Sequence, residues 1–343
     1  MHTPRKILIT GGLGMIGSRL VKRLVDNGFG DSIYIVDNLW RGSLDNIRDV
    51  EGQVYFFKRD LAEPRQLDDL LEDYEIDTVI HLADIVAGID YVVANEGMVF
   101  HKNLMINSNV IASVRRSPTV KAFVNVGTAC SFPKALQNSL TSQLHEDQLY
   151  PADPETSYGW SKLMGCYETD LLGKETEVKT CSILFHNVYG SPSDYGARSQ
   201  VIPSLIRKAI EYPAEPFIVW GSGEQGRAFL HVEDAVDALI LGMKKGLGHG
   251  IIQVGPETCT SIREVAENIV AISGKQIEIQ YDRTKPEGDR GRCANAAKAR
   301  EVLGWSPRVS LEEGLRELYE WIGLNLVNKN HSLSVHVGSI SVP

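Results

Sequence analysis

The hydrophobic pattern along the first half of the chain switches repeatedly between two forms. Short aliphatic runs have the length and composition of buried strands: Lys6–Thr10, Ser32–Val36, Val54–Lys58, Thr78–Leu82, Ala122–Val126 and Thr180–Leu184. Between them, stretches such as Ser18–Asn27, Glu63–Asp73 and Asn103–Arg115 carry apolar residues at helical spacing. Strands alternating with helices predict an α/β fold, a doubly wound parallel sheet covered by helices on both faces. In such sheets a ligand lies beyond the carboxyl ends of the strands, where strand order reverses. The residues with chemistry do follow strands: the glycines after Thr10, Asp37, Asp60-Leu61, His81-Leu-Ala-Asp84, Gly127-Thr-Ala-Cys130 and His186-Asn187.

After Gly190 the pattern changes, with frequent proline and glycine and longer connections between helices. The expected organisation is a sheet domain of residues 1–190 plus about 228–255, and a smaller C-terminal substrate-binding lobe of about 191–227 plus 256–326. Within the second stretch of the sheet domain, His231–Met243 reads as a helix that returns to the sheet. The remaining segment, 327–343, is polar, short of charge and assigned no function.

Composition narrows the class. The 343 residues exceed the usual size of one domain, and 43% of them are apolar, ample for a core. A net charge of −9, from 35 basic against 44 acidic residues, disfavours nonspecific binding to nucleic acid or to an anionic membrane. Five cysteines, scattered and without a CxxC pair, indicate neither a disulfide framework nor a zinc site, so no metal is expected. Met1–Lys6 leaves no room for a signal peptide, and no apolar run approaches the ~20 residues needed to span a bilayer. The expectation is a reduced, cytoplasmic protein.

The glycine-rich segment carries the first chemistry. Gly11-Gly-Leu-Gly-Met-Ile-Gly17 stands between a strand and a helix, where glycines let the backbone turn tightly and approach a pyrophosphate. Gly11, Gly14 and Gly17 form the loop, and the amides of Met15 and Ile16 at the helix start face the diphosphate. The second strand ends in Asp37-Asn38, twenty residues past Gly17. A carboxylate there accepts hydrogen bonds from the adenosine ribose and repels a 2′-phosphate, which favours NAD over NADP. Arg41 is the opposing feature, since a nearby arginine accommodates that phosphate. Asp60 and Leu61 suit an adenine contact. Leu82 and Ala83 line a nicotinamide cleft, with Asp84 reaching towards substrate.

The second chemical signal is Tyr158-Gly-Trp-Ser-Lys162, whose spacing of four puts both side chains on one helix face. A free tyrosine has a pKa of ~10, and a lysine ammonium together with an oxidised nicotinamide would stabilise its phenolate. Such a tyrosine takes a hydroxyl proton while hydride leaves the same carbon.

These residues resemble the extended short-chain dehydrogenase/reductase superfamily, in particular its NAD-dependent nucleotide-sugar epimerases and dehydratases. The resemblance covers about residues 5 to 325 and rests on the glycine segment, Tyr158–Lys162, Phe185-His-Asn-Val-Tyr-Gly190 and Trp220-Gly-Ser-Gly-Glu-Gln-Gly-Arg227. It implies that Tyr158 is the base, that Thr128 assists it, and that Lys162 also holds the nicotinamide ribose. The strongest likeness is to the GDP-mannose 3,5-epimerase family, through Gly127-Thr-Ala-Cys-Ser-Phe-Pro133, Phe185–Gly190 and Pro286-Glu-Gly-Asp-Arg-Gly-Arg292. That likeness makes Cys130 one of two acid/base residues acting beside a transient C4 ketone. It also makes Asn187, Gln225, Arg227 and Arg290 the holders of the sugar nucleotide. Relatives often dimerise through the helices beside the tyrosine, which implies a homodimer through Asn103–Arg115 and Tyr158–Leu172.

The chain departs from that family at the second acid/base. Where a lysine or histidine precedes a proline-led helix, this sequence reads Arg198-Ser-Gln200-Val-Ile-Pro203, and glutamine transfers no proton at neutral pH. Arg198 is too basic to replace it, and His186 is a substitute without that role in the family. Dehydratases carry Asp-Glu after the catalytic hydroxyl, where this chain has Ala129-Cys130, so dehydration is disfavoured. Cysteine suits α-proton abstraction beside a ketone, and the alternative is that Cys130 only packs beneath the site. The implied activity is an epimerase acting on an NDP-hexose through a C4-keto intermediate, with a GDP-mannose-type sugar ahead of a UDP-sugar. A net C4-dehydrogenase is the alternative, and a non-catalytic NAD-binding protein is disfavoured by the retained Thr128, Tyr158 and Lys162. His81 reads as a structural hydrogen-bonding residue, the other four cysteines as packing residues, and Trp305 as a core anchor of the smaller lobe.

Overall fold

The computed structural model of the chain describes residues 4–86, 88–196, 198–285, 288 and 290–337. Its centre is a seven-stranded parallel sheet. Five strands are β1 (Lys6–Thr10), β2 (Ser32–Asp37), β3 (Tyr55–Lys58), β4 (Thr78–His81) and β5 (Ala122–Thr128). The spatial order is Gly250–Val254, Lys179–Phe185, β5, β4, β1, β2, β3. From β1 the chain moves outward through β2 and β3, then returns to the other side of β1 with β4. The crevice between the ends of β1 and β4 is therefore the switch point of the sheet.

The helices are α1 (Met15–Asp26), α2 (Asp68–Asp73), α3 (Ile89–Ala94), α4 (Glu96–Arg116), α5 (Ser157–Glu175), α6 (Val201–Glu211), α7 (Val232–Leu241), α8 (Ile262–Ser273) and α9 (Leu311–Val337). Period-two alternation in β1 splits its side chains between two apolar layers. Ile7 and Ile9 meet Leu20 and Leu24 of α1 and Leu239 of α7, whereas Leu8 joins Leu71 of α2 and Val110 of α4. Buried Gly17, Leu20, Val21 and Leu24 form the inward stripe of α1, each leucine contributing roughly 1.5–3 kcal/mol by leaving water.

A third apolar cluster joins Tyr189, Ile202, Ile206, Phe217, Ile262, Val265, Leu315 and Leu318 across α6, α8 and α9. Ala299, Leu303 and Trp305, expected in the smaller lobe, instead pack with Leu239 and Ile252 beneath the sheet. The Trp305 Nε1 donates to the Asp234 carbonyl at 2.9 Å, which ties it to α7.

Element ends differ from expectation for local reasons. The helix expected over 63–73 begins only at Asp68, because Pro64 and the left-handed Arg65 (φ 62°) interrupt its start. The strand Gly250–Val254, short and unannounced by alternation, pairs in parallel with Lys179–Phe185. Helix α9 continues through 327–337, where the sequence suggested no structure; residues 338–343 lie outside the described residues, as do Ala197, Pro286, Glu287 and Asp289.

Candidate active site

The glycine loop closes onto the end of β4. Gly11 has a positive φ of 67°, and a Cβ added there would stand 2.8 Å from the Ala83 nitrogen. At Gly17 a side chain would overlap the Gly11 carbonyl, so the helix meets the loop only with glycine there. No side chain caps the first turn of α1, leaving the amides after Gly14 directed out of the helix as an anion site.

Asp37 is buried, and its two carboxylate oxygens accept from the Leu13 amide at 3.1 Å and the Leu39 amide at 2.8 Å. Burial raises its pKa against the opposing pull of those amides. The carboxylate therefore anchors the glycine loop to the end of β2. These features fit NAD: a loop with no room for Cβ atoms, an uncapped helix start and a carboxylate at the end of β2.

Other sequence-expected contacts fall differently. Asn38 is exposed and accepts from the Trp40 amide at 2.9 Å. Asp60 is exposed and accepts from the Ala62 amide at 3.0 Å, while the Leu61 side chain is turned into the core. Only the backbone of Leu61 is thus placed to meet a ligand at that position. Arg41 does not turn to the adenosine end: its guanidinium donates to the Val86 carbonyl at 2.5 Å, beyond β4. Burial lowers its pKa, and it feels the charges of Asp194, Arg198 and Tyr158.

At the end of β4 the backbone amides of Leu82 and Ala83 donate to Thr10 Oγ1, at 3.2 and 3.3 Å. His81 is wholly buried between Thr10 Oγ1 (2.7 Å) and Asn107 Oδ1 (3.0 Å), and burial brings its pKa down to about 3. It is a neutral structural histidine, as its sequence context suggests.

Tyr158 and Lys162 lie one turn apart on α5, whose N-cap Thr156 accepts from the Gly159 amide at 3.1 Å. Gly159 lets this turn press on the next loop, since a Cβ there would overlap the Cys130 carbonyl. Thr128, at the end of β5, bonds the Tyr158 hydroxyl and also accepts from the Cys130 amide at 3.2 Å. Thr128, Cys130, Tyr158 and Lys162 are thus brought together.

Asp84 joins them in a way the sequence did not suggest. Rather than reaching out towards substrate, its carboxylate is enclosed, 3.2 Å from Lys162 Nζ. Burial raises the pKa of Asp84 despite Lys162. The Tyr158 hydroxyl is pushed well above the ordinary tyrosine value, by burial first and by Asp84 second. This is the reverse of the lowering that lysine alone would give, because burial disfavours the phenolate and the carboxylate offsets the ammonium.

A second group of residues faces Cys130. The strand Gly291–Ala294 pairs with Asn138–Leu144 and runs beside Gly226–Ala228, which carries Arg292 inward. Arg292 Nη1 stands 3.2 Å from Cys130 Sγ. Arg290, two residues earlier, is exposed and shares a surface cleft with Gln225, Ser222 and Glu224. Arg227 is buried, with Nη1 donating to the Gly226 carbonyl at 2.7 Å. Asn187 is half-buried at the adjoining strand, its amide donating to the Ala228 carbonyl at 3.1 Å. Sequence reasoning placed Arg290 at the ligand and passed over Arg292; the alternation of the strand, which turns residues 290 and 292 to one face, was the available signal.

The candidates for a second proton carrier are accounted for. Gln200 is the N-cap residue of α6, without a side-chain cap bond. Arg198 stacks 4.8 Å over the Trp40 ring and pairs with Asp194 at 4.0 Å. His186 is buried with Nε2 3.2 Å from Gln253 Oε1, and burial brings its pKa down to about 4. Among the described residues, no cluster of side chains has the makings of a metal site, and no helix is long and apolar enough to cross a membrane.

A parallel sheet with a glycine loop at its switch point, and a Thr–Tyr–Lys set beside that loop, defines a Rossmann-type enzyme of the extended short-chain dehydrogenase/reductase superfamily. Residues 7–255 match the NAD dependent epimerase/dehydratase family, and the chain belongs to that family. Its cofactor is NAD. The chain is 29% identical over 319 residues to GDP-mannose 3,5-epimerase 1 of Oryza sativa subsp. indica, spanning 92% of this chain and 81% of that one. It is 30% identical to UDP-glucuronic acid decarboxylase 5 of Arabidopsis thaliana, over 95% and 92% of the two chains. Among solved structures, UDP-glucose 4-epimerase of Thermotoga maritima with UDP-glucose superposes with a TM-score of 0.85 at 25% identity, covering 94% of this chain and 99% of that one.

Proposed function

We propose that the chain is a nucleotide-sugar epimerase that works through a transient C4 ketone on an NDP-hexose. A GDP-mannose-type sugar is favoured, with a UDP-sugar second. The observation that carries this reading is the convergence of Thr128, Tyr158 and Lys162 with a Cys130 thiol held 3.2 Å from the buried Arg292 guanidinium. Bound NAD would supply a reversible hydride acceptor for C4. Tyr158 takes the C4 hydroxyl proton as that hydride leaves and returns it at the end, with Thr128 orienting the phenol. Lys162 holds the nicotinamide ribose.

The ketone acidifies the neighbouring C–H bonds, and Cys130 removes or delivers a proton at C3 or C5. A guanidinium bonded to sulfur stabilises the charge that develops there. Arg227, Arg290, Gln225 and Asn187 form the nucleotide-sugar end, where guanidinium groups match phosphate oxygens. With Gln200, Arg198 and His186 all unsuited to proton transfer, the reading supported is inversion at a single centre: C4 by rotation of the ketone, or one carbon deprotonated by Cys130 and reprotonated from the opposite face by water. A homodimer through Asn103–Arg115 and Tyr158–Leu172 is part of the proposal, supported by the exposed Tyr167 on the second of these helices.

Incubation with a panel of GDP- and UDP-hexoses in deuterium oxide tests this. An epimer labelled at C3 or C5 supports the cysteine route, and an unlabelled C4 epimer supports ketone rotation. Stoichiometric NADH with release of a ketosugar would replace the epimerase by a C4-dehydrogenase.

A further inference from the structure

Asp84 is the one group of the Tyr158 site whose position the epimerase chemistry does not itself require. Its side chain is 4% exposed and that of Lys162 is 3% exposed, so the ion pair between them is sealed from water. The Lys162 ammonium, the Ile85 amide and the Tyr158 hydroxyl all turn towards this carboxylate. Taking a carboxylate out of water is costly even with such partners, and the burial is offset here by the charge of Lys162. Native structures keep such groups where a site uses them.

We propose that Asp84 is a positioning residue for the Tyr158–Lys162 pair. Its carboxylate neutralises the Lys162 ammonium and faces the Tyr158 hydroxyl. The tyrosine therefore rests as a neutral phenol, and becomes a base only when a second positive charge, that of an oxidised nicotinamide, stands beside it. This deepens the proposed epimerase mechanism and rests on that reading for its purpose, though not for its test.

The groups that face Tyr158 from each side set the balance. Lys162 comes from the same helix, Thr128 and Cys130 from β5 and the turn after it, Asp84 from the end of β4, and Arg41 from the loop after β2. Without Asp84, the lysine ammonium would be an unopposed cation beside the phenol and would favour phenolate. With it, the Asp84–Lys162 pair carries no net charge, Arg41 is the remaining cation on that side, and burial then favours the uncharged phenol. The high pKa of Tyr158 agrees with that order of effects.

The consequence is a tyrosine tied to the charge of its neighbour. When the adjacent ring is positive, the phenol gives up its proton readily and can accept one from the sugar hydroxyl. Beside a neutral ring the phenol would be held as a proton donor, which is what the returning step needs at the C4 oxygen.

The test is a pH titration of the NAD-bound full-length chain, reading phenolate absorbance of wild type minus Tyr158→Phe, with the cofactor oxidised and then reduced. In wild type the Tyr158 step should move to higher pH on reduction. In Asp84→Asn the step should fall by at least about one pH unit, a tenfold rise in phenolate at fixed pH. Equal midpoints in wild type and Asp84→Asn would overturn the proposal. Should Asp84→Asn fail to fold, wild type alone decides: a midpoint near neutral pH that ignores the redox state would sink it. No sugar is present in this titration. A failure to turn over any nucleotide sugar, with the predicted titration intact, would remove the epimerase reading and leave the role of Asp84 standing.

Discussion

The Arg292 guanidinium meets the Cys130 thiol at 3.2 Å across 162 positions of sequence. The strand that bears Arg292 lies against Asn138–Leu144, so the contact depends on two short ladder segments outside the main sheet. Loss of the guanidinium should therefore affect proton transfer at the cysteine more than hydride transfer at C4. Arg292→Met is expected to slow deuterium exchange at C3 or C5 by roughly 10- to 100-fold, the scale of losing a charge-assisted hydrogen bond of 1.5–3 kcal/mol. Cys130→Ser should abolish that exchange. Transient reduction of bound NAD by substrate should survive in both variants; exchange unchanged in Cys130→Ser would take the thiol out of the chemistry.

Tyr158→Phe removes the hydroxyl without disturbing the helix turn. Turnover should fall by about 100- to 10 000-fold, the usual contribution of a positioned acid/base, while NAD remains bound. Calorimetric titration with NAD separates the two effects, and near-wild-type turnover would discard Tyr158 as the base.

Gly159→Ala probes how the tyrosine is positioned. The new methyl would overlap the Cys130 carbonyl, so either α5 or the Thr128–Cys130 turn must shift. Overpacking of this kind costs about 1–3 kcal/mol. Because both sides of the clash carry catalytic candidates, activity should drop further than stability. Thermal unfolding and kcat measured on the same preparation would check this, and a fully active variant would show that the contact is slack.

Much of this arrangement was legible in the order of residues, and the part that was not has physical reasons. Six strands, α1, the Asp37 carboxylate and the Tyr158–Lys162 pair depend on contacts within one βαβ unit or one helix turn, which periodicity and spacing record. The strand Gly250–Val254 was hidden because a glycine opens it and a buried glutamine, Gln253, interrupts it, so it reads neither as alternating nor as a continuous apolar run. Asp84, Arg292 and Trp305 escaped for another reason. Each takes its meaning from a partner far along the chain: Lys162, Cys130 and the Asp234 carbonyl. Arg41 illustrates the same limit, since its position after β2 suggested a phosphate while its side chain turned to Val86.

His186 also bears on acid stability. Burial holds its pKa near 4 in the folded chain, against an ordinary 6.5, and His81 behaves alike at about 3. The folded state thus refuses a proton that the unfolded chain accepts below about pH 6.5. The stability tied to these histidines is complete above that pH and is lost as pH falls towards 4, by about 1.4 kcal/mol per pH unit for each. His186→Gln removes one such proton. Its urea-unfolding free energy should fall less steeply between about pH 6.5 and pH 4.5 than that of wild type, by close to one proton's worth of slope. Equal slopes would mean that His186 is already charged in the folded protein, and would restore it as a candidate for the missing second proton carrier opposite Cys130.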